Sequence, residues 1–254
     1  IDYIAFLEDG GKIDQNEHFS DLLQTVNETQ EAMKNNLRDR AKELIQQGKI
    51  VAVLGGEHST PLGLLEAIDQ QGESFGILQI DAHADLRIAY EGFVQSHASI
   101  MYNALQNCKN LKRLVQVGIR DISEMEVEMI QNSQGRIVTH FDWNLKEDQF
   151  NGTTWADQVE NILADLPHNV YVSFDIDGLK PELCPNTGTP VVGGFALEEI
   201  NYLFFKLVES GRKIIGFDLN EVSPGKSGDW DANVGARALW NLVCATEKNR
   251  RYQK

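Results

Sequence analysis

Six short runs punctuate the chain, each rich in Val and Ile and each bounded by turn residues. They are "KIVAVLGG" (49–56), "FGILQID" (75–81), "LVQVGIRD" (114–121), "RIVTHFD" (136–142), "NVYVSFDID" (169–177) and "KIIGFDLNE" (213–221). Near-continuous apolar runs of this length predict strands buried on both faces. Between them, residues 18–47, 155–166 and 196–210 carry apolar side chains at helical spacing. Gly48 is placed to close the first of these helices, and Thr60-Pro61 predicts an N-cap followed by Pro at the first helical position. Alternation of this kind demands an α/β fold, a mostly parallel sheet with helices on both faces. A chain of 254 residues that is 42% hydrophobic can bury the core of one large domain spanning 1–254. The first residue is not Met, so further N-terminal sequence is expected.

In open parallel sheets, ligands bind beyond the carboxyl ends of the strands. The polar clusters of this sequence fall there. "GGEHS" (55–59) follows the first run, "DAHAD" (81–85) the second, "DID" (175–177) the fifth and "DLNE" (218–221) the sixth. If Asp81–Asp85 continued the strand direction, alternate residues Asp81, His83 and Asp85 would share one side, as would Asp175 and Asp177. Burying such carboxylates unpaired costs several kcal/mol each, on the order of the penalty for an unsatisfied buried polar group. Divalent cations remove that cost: four aspartates carry four negative charges, which two such ions neutralise. Carboxylates with two imidazoles, His58 and His83, suit Mn²⁺ better than a cysteine-rich structural zinc site.

Charge and composition narrow the partners. The formal net charge of −15 argues against nucleic acid and against a basic membrane-binding face; it is compatible with a small cationic ligand, and equally with a role in solubility alone. No run approaches the roughly 20 apolar residues of a membrane span, and no secretory leader is recognisable. Three dispersed cysteines, Cys108, Cys184 and Cys244, read as reduced thiols, and a cytoplasmic location is expected.

With "GGEHS", "DAHAD" and "SFDID" in this order, the chain resembles the ureohydrolases, which include arginases, agmatinases and formiminoglutamases. The resemblance runs from about residue 50 to the C-terminus. It implies a three-layer α/β/α fold and a binuclear manganese hydrolase of linear C–N bonds in guanidino compounds. Carried over by motif, His58, Asp81, His83, Asp85, Asp175 and Asp177 are the six metal ligands, with Asp81 and Asp175 bridging two Mn²⁺ ions. Glu221 matches the family's acid that holds the guanidinium plane. Asp85 relays a proton, and His97, in "SHAS", resembles the mobile histidine that shuttles protons with solvent. The family forms trimers and hexamers, so a homo-oligomer is expected.

The segment after "DAHAD" most resembles agmatinases, which implies agmatine as substrate and putrescine and urea as products. Arg87 admits a rival, a guanidino or formimino acid held through its carboxylate, unless Arg87 pairs with a nearby acid instead. Lys180 departs from the family, which has an acid there. "NTGTPVVGGF" (186–195) resembles the Gly-rich loop that shapes the cleft, and Glu91 lies in the loop facing the distal end of a substrate. A dinuclear phosphoesterase, a single-zinc deacetylase and a metal-dependent binding protein without turnover are the other classes weighed. Phosphate substrates call for more basic residues, one zinc would not need both His58 and a full "DAHAD", and no expected ligand is missing.

Overall fold

A computed structural model describes residues 2–8, 10–13, 16–225 and 228–252. Among these, six strands form one sheet: β1 (Val51–Leu54), β2 (Phe75–Ile80), β3 (Leu111–Ile119), β4 (Ile137–Phe141), β5 (Asn169–Asp175) and β6 (Lys213–Asn220). Their order is β1-β6-β5-β2-β3-β4, and every pairing is parallel. All six predicted strands are present. The third starts three residues earlier than expected, and the sixth runs on through Asp218 to Asn220, leaving only Glu221 beyond its end.

A short α1 (Asp2–Glu8) opens the described chain. Parallel strands need long crossovers, and helices supply them. On one face lie α2 (Glu17–Gln46), α3 (Leu62–Asp69), α4 (Ile100–Asn107) and α5 (Glu124–Asn132), packed on Phe75, Ile77, Leu114 and Tyr171. On the other lie α6 (Asp142–Phe150), α7 (Trp155–Ala164), α8 (Leu197–Glu209) and α9 (Trp230–Tyr252), packed on Leu78, Ile80, Val115, Val172 and Phe174. The result is the expected three-layer α/β/α sandwich. Each fully buried Leu, Ile or Phe in these two cores contributes roughly 1.5–3 kcal/mol.

Local chemistry sets the helix ends. Asn16 caps α2 by accepting the Phe19 N–H at 3.2 Å. Gly48, at φ 74°, closes it, with Gly48 N–H donating to Ile45 O (2.8 Å) and Lys49 N–H to Leu44 O (3.2 Å). Gly63 lets α3 approach α2, since a Cβ there would lie 2.4 Å from Lys34 O. The expected cap at Thr60 is not made. Helix α3 begins at Leu62, Pro61 occupies the cap position, and the Thr60 hydroxyl donates to Asn220 Oδ1 (3.1 Å). Thr60 therefore ties α3 to the end of β6. Among the described residues no helix is long and apolar enough to cross a membrane, and all three cysteines are free thiols.

Candidate metal centre

The four motif-bearing strands are neighbours in the order β1-β6-β5-β2, so their carboxyl ends deliver one continuous polar rim. All six predicted ligands meet there. His58 Nδ1 lies 3.2 Å from Asp81 Oδ2, 3.1 Å from Asp85 Oδ2 and 3.2 Å from Asp175 Oδ2. His83 Nδ1 lies 3.0 Å from Asp177 Oδ2 and 3.6 Å from Asp81 Oδ1. Two groups of ligand atoms emerge, His58-Asp81-Asp85 and Asp81-His83-Asp177, each with its atoms within 4.8 Å of one another. Asp81 belongs to both and turns a different oxygen to each.

The convergence does not arise from a strand pleat, as the sequence spacing suggested. Strand β2 stops at Ile80, and the chain then turns. The His83 N–H donates to Asp81 Oδ1 at 2.7 Å, an Asx turn. Asp85 sits at φ 55°, the left-handed region, which re-aims its carboxylate toward His58. Asp177 likewise leaves the extended direction: Asp175 Oδ1 accepts its N–H at 2.9 Å and starts a 3₁₀ turn over Ile176–Gly178. Ala82 N–H donates to Asp177 Oδ1 (3.0 Å), stitching the two turns together. Gly118 permits this approach, because a Cβ there would meet Phe195 at 2.7 Å and Asp81 O at 3.1 Å. Arg120, half-buried beside it, donates to the carbonyls of Asp177, Leu179 and Val191 and fixes the far side of the turn.

Electrostatics show how strongly this rim attracts positive charge. Burial raises the Asp85, Asp175 and Asp177 carboxyls, and neighbouring carboxylates raise them further. Burial opposes charge on His58, yet Asp175, Asp81 and Asp85 outweigh it and hold its pKa well above the imidazole range. Burial also opposes charge on His83, but Asp177 and Asp81 push its pKa up to about 11. Asp81 is lowered despite burial, because both histidines face it.

The donor set fits divalent metal ions. His58 is fully buried, and its Nε2 lies 2.9 Å from Ser173 Oγ. Ser173 Oγ donates to Asp218 Oδ1 (3.1 Å), so it accepts from His58 and places the proton on Nε2. His58 Nδ1 then presents a lone pair to three carboxylate oxygens, and none of them meets hydrogen-bond geometry with it. That arrangement is repulsive unless positive charge lies among the four atoms: a proton taken up by Nδ1 in the metal-free protein, as the raised His58 pKa indicates, or a metal ion in its place.

The remaining predicted residues divide. Asp85, His83, Arg87, Tyr90, His97, Asp121, Ile122 and Thr189 line a cleft that opens from the centre. Glu221 instead stands against the His58 segment: at φ 63°, just past β6, its Oε1 accepts the His58 N–H at 2.8 Å. A Cβ at Gly188, in the Gly-rich loop, would lie 3.6 Å from Glu221 Oε2. Among the described residues Arg87 pairs with no acid; its guanidinium lies 5.3 Å from the Tyr90 ring centroid. Glu91 and Lys180 do not line the cleft. Lys180 donates its N–H to Phe195 O (2.9 Å).

Sequence reasoning assigned no role to Glu57, Ser173 or Asp218. Glu57 Oε1 accepts the His97 N–H and lies 3.3 Å from His97 Nδ1, while its Oε2 is held by Ser59 N–H (3.0 Å) and hydroxyl. Asp218 is fully buried, and burial lifts its carboxyl to about 6 against the pull of His58. A buried acid two residues inside a strand was the available signal for it.

Comparisons with known proteins agree with this geometry. The Arginase family model matches residues 7–245. The N(1)-aminopropylagmatine ureohydrolase of Thermus thermophilus is 32% identical over 80% of this chain and 64% of its own length. The guanidinobutyrase of Pseudomonas aeruginosa is 30% identical over 79% of this chain and 62% of its own. The chain thus spans less than two thirds of either relative. The crystal structure of agmatine ureohydrolase of Thermoplasma volcanium superposes with a TM-score of 0.74 at 26% identity, covering 89% of this chain and 72% of that one. A family match over nearly the whole sequence, on the fold and strand-end rim just described, makes this chain a member of the arginase family.

Proposed function

We propose that the chain is a ureohydrolase that holds two Mn²⁺ ions and hydrolyses a cationic guanidino compound, agmatine, to putrescine and urea. The observation that carries this reading is the sharing of Asp81 between two ligand clusters, one oxygen to each. His58, Asp81, His83, Asp85, Asp175 and Asp177 would hold the two ions. Bound there, a pair of divalent ions supplies Lewis acidity and draws a nucleophile from water near neutral pH.

The protein's own groups do the rest. A guanidinium is planar, and a carboxylate accepting paired N–H bonds holds that plane still. Glu221 supplies it, and its pKa is raised by burial. Asp85 relays a proton toward the leaving nitrogen, and His97, half-exposed at the cleft wall, exchanges protons with solvent. The products balance: one water adds across the carbon–nitrogen bond, giving urea and the free amine.

The cleft also bears on the substrate's distal end. Asp121, with 67% of its side chain exposed, suits an ammonium, in keeping with the net charge of −15. Arg87, set over the Tyr90 ring with no acid partner among the described residues, supports a second reading, a guanidino acid such as 4-guanidinobutyrate. The test is a panel of agmatine, N(1)-aminopropylagmatine, arginine and 4-guanidinobutyrate after manganese loading, scored by urea release. Agmatine is expected to give the highest kcat/KM. Preference for 4-guanidinobutyrate would select the second reading, and no urea from any of them with both ions bound would reject ureohydrolase activity.

A further inference from the structure

The sheet face packed on α3 and α4 changes character at one layer. Along β2, Phe75 and Ile77 are followed by Gln79; along β3, Leu114 by Gln116; along β4, Ile137 by Thr139; along β5, Tyr171 by Ser173. Asp218 holds the same position on β6. These residues are in register on five adjacent strands: Thr139 opposite Gln116, Gln116 opposite Gln79, Gln79 opposite Ser173, and Ser173 opposite Asp218. Gln79, Gln116, Ser173 and Asp218 are fully buried. Two primary amides in a sheet core are costly unless every group is bonded.

Here they are bonded, and in one direction. Thr139 Oγ1 donates to Gln116 Oε1 (2.8 Å). Gln116 Nε2 donates to Gln79 Oε1 (2.7 Å) and to Ala84 O (2.7 Å). Gln79 Nε2 donates to Asp81 Oδ2 (2.8 Å) and to His83 O (3.2 Å). The polarity is not arbitrary. Backbone carbonyls and a carboxylate only accept, so both amide nitrogens must face them, and each amide oxygen must receive the next donor. Aligned bonds of this kind polarise one another.

The relay ends on the Asp81 oxygen that faces His58. The other oxygen, Oδ1, already receives the His83 N–H. Each carboxylate oxygen therefore has one donor and keeps a lone pair turned to its own histidine. We propose that Thr139, Gln116 and Gln79 are positioning residues that lock the Asp81 carboxylate plane and thereby set the affinity of the ion on the His58 side. This rests on the two-ion reading above.

The test uses metal-stripped full-length protein titrated with Mn²⁺ by calorimetry, the visible spectrum after Co²⁺ loading, and the melting temperature of the metal-free form. The variants are Gln79→Leu, Thr139→Val and Thr139→Ser. Gln79→Leu is expected to weaken one of the two ions about 10–100-fold, the usual cost of losing a partner of a metal ligand, and to shift the Co²⁺ spectrum. Thr139→Val, three hydrogen bonds from the carboxylate, should weaken the same ion less, and Thr139→Ser should restore it. If Gln79→Leu does not fold, the Thr139 pair decides alone. Wild-type affinity for both ions with an unchanged Co²⁺ spectrum overturns the relay. So does a loss in Thr139→Val that merely follows its metal-free melting temperature and is not restored by serine. Fewer than two ions on the wild-type protein would overturn the two-ion centre itself, a failure distinct from an intact centre indifferent to Gln79.

Discussion

The two histidines of the cluster occupy unlike surroundings. His58 has no exposed side-chain surface; its ring nitrogen is held by Ser173 and Asp218, and its backbone by Glu221. His83 keeps 23% of its side chain exposed in the cleft wall, and its Nε2 is 3.8 Å from an exposed Asp121. One half of the centre is built into the sheet, the other into the cleft. On the proposed two-ion centre this difference predicts a division of labour: the buried half would retain its ion and fix geometry, while the open half would hold a more exchangeable ion beside the cleft. Asp81 couples them, one oxygen to each side.

The harshest way to break that contrast is to remove what the halves share. Asp81→Ala is expected to lose both ions and all urea release, because each cluster loses a carboxylate oxygen at once. Metal analysis of the purified variant checks this. Retention of one ion at wild-type affinity would show that the clusters are independent.

A single-histidine comparison sharpens it. His83→Asn should release the open-side ion, weakening it by at least about 100-fold, the upper end for losing even an outer partner, and leave the other in place. Saturated at 100 times its Kd, an ion contributes about 2.7 kcal/mol to stability. At about 2–4 °C per kcal/mol for a chain this size, the variant should melt about 5–11 °C below the loaded wild type. His58→Asn should also leave Asp81, Asp85 and Asp175 facing one another in a dry site, so its fall in melting temperature should be larger. Equal melting shifts and equal metal losses in the two variants would erase the distinction.

Much of this arrangement was legible in the sequence, because burial on both faces forces apolar runs and leaves strand ends as the place for charge. The six strands and the six clustering side chains follow from that logic. What escaped was whatever depends on backbone reversal or on register between strands. A period of two cannot foresee Asp85 in a left-handed conformation, or Asp177 in a 3₁₀ turn. Gln79 and Gln116 were visible as polar interruptions in "FGILQID" and "LVQVGIRD", but their alignment on neighbouring strands is set by pairing across the sheet. Glu57 and His97 lie 40 positions apart, so nothing local linked them.

That pair gives the smallest of the expected effects, and it belongs to the open side. The Glu57 hydrogen bond raises the His97 pKa, burial opposes it, and Asp85 adds to the rise. A raised folded-state pKa means that the pair's stabilisation is fully present below the unfolded value of about 6.5 and is lost as pH climbs through the folded value. Glu57→Gln keeps the shape and, with its amide oxygen turned to Ser59, the Ser59 contacts, but it removes the charge and the acceptor of the His97 N–H. Its His97 pKa, followed by the imidazole proton resonances, should fall relative to the wild type. If His97 delivers protons at the cleft wall, the alkaline limb of kcat should move to lower pH by the same interval, with little change in metal content. A limb that stays put while the imidazole pKa falls would remove His97 from proton transfer and leave Glu57 as a bracket between two loops. An imidazole pKa that does not move would show that Asp85 and the rest of the rim, not Glu57, govern charge on the open side.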